Sequence, residues 1–182
     1  MGLLTPIAVR LGAQPWLPRL LPQITWTDLR LQRATFGRVS LLDVAGLPNL
    51  LLTVPGRRTG IPRTTPLLCV PWEGTGTSSA PDAPGAPGGL LIAGSHFGAP
   101  TPPVWTHNLR AAEFVDVEYR HRHLTCTWRE LTGDELGAAW EHMLTVWPNY
   151  ATYTRWTERR IPVFLLAPVD PESIVADAAG PA

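Results

Sequence analysis

The sequence predicts an α+β fold, an antiparallel β-barrel with helices at its rim. Three observations lead there: short apolar or alternating runs bounded by Gly, Pro and Asn, one clear hairpin in mid-chain, and helical periodicity that enters late. Strands that follow each other in sequence and join by tight turns pair antiparallel with little need for crossovers.

In order along the chain, residues 1–36 read as an N-terminal helical arm. Leu3, Leu4, Ile7, Ala8 and Leu11 share one helical face, and Trp16, Leu17, Leu20, Leu21 and Ile24 follow in a Pro-punctuated stretch. Arg10, Arg19 and four prolines interrupt this segment, so it lacks the roughly 20 apolar residues of a spanning helix. Packing on the domain is its expected role, and peripheral membrane contact is the alternative.

Residues 37–170 read as the barrel domain. Val39–Val44, Leu50–Val54, Thr65–Trp72 and Leu90–Ser95 have strand character, with Pro71 marking an edge or a bulge. Glu73–Gly89, a Gly/Pro/Ala/Ser/Thr stretch with two charges, reads as a flexible hairpin loop without chemistry. Pro103 opens a short helix carrying Trp105 and Leu109. Val115, Val117 and Tyr119 then alternate with polar residues, turn near His121, and return as Leu124, Cys126 and Trp128.

Thr132 and Glu135 have capping-box spacing before a helix striped by Leu136, Trp140, Met143, Leu144 and Trp147, which Pro148 stops. Asn149 is placed to cap a second helix bearing Tyr150, Tyr153 and Trp156, and Ile161–Ala167 closes the domain as a strand. Residues 171–182 read as a flexible tail.

Composition narrows the function classes. Fifteen basic residues, all Arg, balance fifteen acidic ones, which speaks against a nucleic-acid binder and requires any anion site to be local. Cys69 and Cys126 lie apart in apolar runs, so buried thiols and a cytoplasmic location are expected. His121 and His123 bracket a hairpin tip without a third ligand nearby, so no metal site is expected.

Chemistry concentrates between Thr53 and Pro66. Gly56 and Gly60 let the chain turn with its amides exposed, and Arg57, Arg58 and Arg63 supply three guanidinium forks within seven residues. On spacing alone, an anion site and a hairpin turn with solvated arginines are equally good readings.

Resemblance separates them. Gly56-Arg57-Arg58-Thr59-Gly60, followed by Pro62-Arg63 and Pro66-Leu67, resembles the signature of the deazaflavin-dependent nitroreductase and quinone reductase family. Gly94-Ser95-His96-Phe97-Gly98 with Pro103 to Leu109 is similar to that family's second cofactor segment. Trp147-Pro148-Asn149-Tyr150-Ala151-Thr152-Tyr153 with Trp156-Thr157 and Ile161-Pro162 is similar to its substrate-side segment. The likeness spans roughly Val39 to Pro168 in one order.

The resemblance implies a split antiparallel β-barrel of the FMN-binding split-barrel type that uses coenzyme F420, with FMN as the alternative cofactor. It implies cofactor contacts from Gly56, Arg57, Arg58, Thr59, Gly60, Arg63, Pro66, Ser95, His96, Trp105 and Asn108, and a substrate pocket lined by Trp147, Tyr150, Tyr153 and Trp156. Tyr150, Tyr153 and Ser95 become the catalytic candidates, the phenols orienting an acceptor oxygen or relaying a proton. Three departures stand out: His96 where members often have Lys, Trp147 where nitro-reducing members have Tyr, and Leu68 in place of an aromatic. The implied reaction is hydride transfer from reduced F420 to a quinone, enone or nitro compound. The alternatives are an FMN-dependent reductase or oxidase on the same barrel, or a non-catalytic flavin, haem or lipid-binding module.

Overall fold

A computed structural model describes residues 5–14, 45–73 and 88–169, with isolated positions 16, 23, 26, 27, 30 and 42. Among the described residues, seven strands form one antiparallel sheet: β1 (Asn49–Pro55), β2 (Pro62–Leu68), β3 (Val70–Pro71), β4 (Leu90–Ala93), β5 (Val115–Tyr119), β6 (Arg122–Glu130) and β7 (Val163–Pro168). Four helices accompany it: α1 (Thr5–Gly12), α2 (Val104–Leu109), α3 (Gly133–Val146) and α4 (Tyr150–Trp156).

The sheet order is β2-β1-β5-β6-β7-β4-β3. Its two edge strands, β2 and β3, are consecutive in the chain and are joined through Cys69. That short link draws the far edges together and curls the sheet into a half-barrel, the expected split-barrel architecture. Pro71 sits on the edge strand β3, where its missing N–H removes no interior ladder bond.

Side-chain alternation sorts the core into two layers. Leu50, Leu52, Val54, Leu90, Ile92, Val115, Val117, Cys126, Phe164 and Leu166 fill the barrel interior with Trp105 and Leu109 of α2. Leu91, Ala93 and Val163 point the other way, against Met143 of α3 and Tyr150 and Tyr153 of α4. Strand β4 is therefore buried on both faces, and each fully buried Leu or Ile contributes about 1.5–3 kcal/mol.

The mid-chain hairpin falls as the alternation predicts. Val117 pairs with Leu124 and Val115 with Cys126, and the turn places Arg120 (φ 49°) and His121 (φ 62°) in the left-handed region. Strand β2 begins at Pro62, three residues before the expected Thr65, because Pro55↔Pro62 pairing extends an edge too exposed to leave a burial signal.

Three local expectations are corrected. On α1, Thr5 and Gly12 are buried with Ala8 and Val9 packed inward, whereas Ile7 and Leu11 are 55% and 49% exposed; the helix docks by its small residues. Thr132 makes no side-chain cap, and Glu135 pairs with Arg129 instead. The Asn149 side chain likewise caps nothing: its amide donates to the Val9 carbonyl at 2.7 Å, tying α4 to α1.

Of the expected strand Val39–Val44 only Leu42 is described, and it is helical. The loop interior 74–87 and the tail from 170 lie outside the described residues. No described helix is long and apolar enough to cross a membrane, and the described residues hold no group of three or more His, Cys, Asp or Glu able to bind a metal.

Candidate functional site

The β1–β2 turn closes on its own backbone. Gly56 N–H donates to Ile61 O at 2.9 Å, and the Thr59 and Gly60 amides both donate to Gly56 O. Gly60 has φ 66°, a conformation that favours glycine, while a Cβ on Gly56 would meet Thr59 Oγ1 at 2.8 Å and come within 3.5 Å of Arg63 Nε. The Thr59 hydroxyl accepts from the Ile61 amide and so supports the turn. Pro66 lies within the β1–β2 ladder opposite Leu51.

Arg57, Arg58 and Arg63 are exposed on this turn, and none is in an ion pair among the described residues. Three cations without counter-charges at one corner of the sheet are an electrostatic arrangement suited to an anion.

A second segment meets that turn directly. Asn108 of α2 is buried, and its Oδ1 accepts from the Arg57 amide at 3.2 Å. Upstream, a 3-10 turn at His96–Gly98 follows β4, with His96, Phe97 and Gly98 at φ 47°, 52° and 75°. Two non-glycine residues in that region cost about 1–3 kcal/mol each, a strain that functional loops retain when their surroundings impose it. Ser95 is 9% exposed and its hydroxyl makes no capping hydrogen bond, leaving it available to a ligand. His96 Nδ1 lies 2.9 Å from Thr101 O, and since a carbonyl only accepts, Nδ1 is the donor there. Trp105 faces the barrel interior, edge-on to Phe164.

The third segment is more enclosed than an open pocket wall. Trp147, Tyr150 and Tyr153 are buried, at 7%, 4% and 1% exposure, while Trp156 is at the surface. The Tyr153 hydroxyl donates to Gly12 O of α1 at 3.0 Å and accepts from Trp147 Nε1 at 3.3 Å. It is an anchor for α1, and Trp147, standing where a Tyr relay was a possibility, completes that anchor. The Tyr150 hydroxyl makes no such contact among the described residues; its ring packs against Trp140 and edge-on to Tyr153. Burial raises the pKa of both phenols, with Tyr153 adding to the rise at Tyr150, so each is a neutral hydrogen-bond donor.

One participant escaped sequence reasoning. The Arg159 guanidinium, half-buried between α4 and β7, donates to the carbonyls of Gly94, Ser95 and Ala99. Desolvation lowers its pKa from the ordinary value. Arg159 lies in none of the recognised motifs, and an Arg followed by Arg160 carries no spacing signal that tells a buried fork from a solvated one.

These residues fit a long, polyanionic flavin-like cofactor. Guanidiniums without an ion pair among the described residues suit a phosphate and carboxylate tail, the Arg57–Asn108 bond joins that turn to α2, and the Ser95 hydroxyl, which makes no cap bond, offers a further polar contact. Gly98 brings the loop against α4, where an added Cβ would stand 3.1 Å from Tyr153 Cα. The three sequence segments are thus linked in pairs, the turn to α2 through Asn108 and the loop after β4 to α4 through Gly98.

Residues 26–168 match the family model described as F420H(2)-dependent quinone reductase. A solved structure described as an F420-H2 dependent reductase (FDR-A) is 31% identical, with a TM-score of 0.53, covering 65% of this chain and 93% of that one. Another, described as a domain-swapped dimer, is 28% identical with a TM-score of 0.55, covering 78% of this chain and 96% of that one. The chain belongs to the F420H(2)-dependent quinone reductase family.

Proposed function

We propose that the chain is a coenzyme F420-dependent reductase that reduces a small quinone, with Arg57, Arg58 and Arg63 holding the anionic tail of the cofactor. The observation that carries this is the cluster of three exposed arginines, none in an ion pair among the described residues, on the turn that the Asn108 bond ties to α2. A single phosphate, as on FMN, leaves part of that charge unmatched; a phosphate with carboxylates uses all of it.

When bound and reduced, the cofactor supplies hydride. The protein's own share is positioning, exclusion of water and a hydrogen bond to the acceptor oxygen as charge develops on it. Ser95 is assigned to the ring edge, Trp105 and Asn108 to the cofactor wall. Tyr150 is the better candidate donor of the two tyrosines, because the Tyr153 hydroxyl is already engaged with Gly12 and Trp147. Enones and nitro compounds share the electron-poor character of a quinone and are the further acceptors to try.

The test is oxidation of reduced F420 by the purified protein with a soluble benzoquinone, run beside reduced FMN. Quinone-dependent turnover with F420 alone supports the reading. Turnover with FMN and none with F420 replaces it with a flavin reductase.

A further inference from the structure

Arg159 holds the loop after β4 from outside. Its Nε donates to Ala99 O at 2.9 Å, Nη1 to Gly94 O at 3.0 Å and Nη2 to Ser95 O at 2.6 Å. One planar fork therefore grips both ends of the segment that carries Ser95 and His96. Between those ends, His96, Phe97 and Gly98 are consecutively left-handed, which the local sequence does not favour by itself. Gly98 also lies close against the backbone of Tyr153, where an added Cβ would stand 3.1 Å from Tyr153 Cα, and the Phe97 ring lies tilted against the Tyr153 ring at 5.5 Å. The turn is thus held by α4 and by a single guanidinium.

We propose that Arg159 is the positioning residue of this loop: by binding the carbonyls of Gly94, Ser95 and Ala99, it fixes the left-handed turn in the shape that presents the Ser95 hydroxyl to the cofactor. The assignment of a ligand to that hydroxyl rests on the function proposed above; the ordering of the loop does not. Lysine cannot substitute, since a compact ammonium lacks the spread of donors that reaches three separate carbonyls in one plane. Arg160, its exposed neighbour, bonds only the Leu131 carbonyl among the described residues and gives a matched control.

The experiment compares Arg159→Ala, Arg159→Lys and Arg160→Ala with wild type in two ways. Without ligand, amide hydrogen exchange should accelerate at Gly98 and Ala99, whose amides bond Ser95 O and His96 O, by tenfold or more in both Arg159 variants. The β4–β7 ladder amides should keep their protection, and Arg160→Ala should match wild type. With F420, titrated by fluorescence quenching, Kd should rise at least tenfold in both Arg159 variants while KM for the quinone stays within twofold. Should Arg159→Ala not fold, Arg159→Lys decides. Wild-type exchange in that loop, or equal acceleration across the sheet and in Arg160→Ala, overturns the positioning role. Faster loop exchange with unchanged F420 affinity overturns its link to the cofactor. Failure of wild type to bind F420 overturns that link and the proposed function together, while the exchange comparison still decides whether Arg159 orders the loop.

Discussion

Arg57 and Arg58 show how a residue's surroundings decide between two readings that spacing leaves level. Both are exposed and free of ion pairs among the described residues, the arrangement an anion-binding turn requires. Arg57→Ala and Arg58→Ala are each expected to weaken F420 binding by about tenfold to a hundredfold, the worth of a charge-assisted hydrogen bond of roughly 1.5–3 kcal/mol, and to leave the melting temperature nearly unchanged. Equilibrium titration with thermal melts checks both halves. The two tyrosines divide the same way. Tyr150→Phe should lower turnover about tenfold with cofactor affinity intact, because it removes the hydroxyl proposed to donate to the acceptor oxygen. Tyr153→Phe should instead destabilise the fold by about 1 kcal/mol, since its hydroxyl bonds Gly12 and Trp147. Steady-state kinetics and denaturant unfolding of each variant separate the two. Equal losses of turnover would mean that the Tyr153 hydroxyl leaves α1 during the reaction.

At the level of elements, the sequence was most informative where burial alternates cleanly. Strands β1 and β5 and the β5–β6 hairpin follow the apolar pattern because one face of each meets the core. It was least informative where packing or backbone geometry takes over. The α1 face was misassigned because a helix that docks closely needs small residues at its contact, and these look unremarkable beside Ile7 and Leu11. Glu135 went to Arg129 and the Asn149 amide to Val9, each a tertiary partner that competes with a local cap. The cofactor motifs were legible as chemistry, whereas Arg159 was not, since its role depends on three carbonyls that no spacing reveals. The close fit of α1 yields its own prediction. A Cβ at Gly12 would collide with the Trp147 ring and approach the Asn149 amide at 2.5 Å, so Gly12→Ala should cost about 1–3 kcal/mol by overpacking. Chemical denaturation measures it, and wild-type stability would show that α1 docks with room to spare.

Across the whole molecule, the buried acids set a pH limit. Cys126 is pushed up to about 12 by burial, with Asp116 adding to the rise, and Tyr119, Tyr150 and Tyr153 are raised as well, each chiefly by burial. Below the unfolded values, about 8.5 for Cys and 10 for Tyr, both folded and unfolded states are neutral and the stability is complete. Above them the unfolded chain ionises first and releases protons that the folded state retains, so stability falls as pH rises. Melting temperature should hold between about pH 7 and 8 and decline above about pH 9. A flat profile to about pH 11 would contradict the burial of these groups.

The arginine turn is tied to α2 by the Arg57–Asn108 bond, and the loop after Ser95 packs on α4 through Gly98. What those segments hold makes the choice of cofactor the central question. Titration of the protein with F420 and with FMN, followed by ring fluorescence, tests it most directly: saturable quenching with F420, weakened in Arg57→Ala, and no saturation with FMN is the predicted result, whereas FMN binding without F420 binding would contradict it.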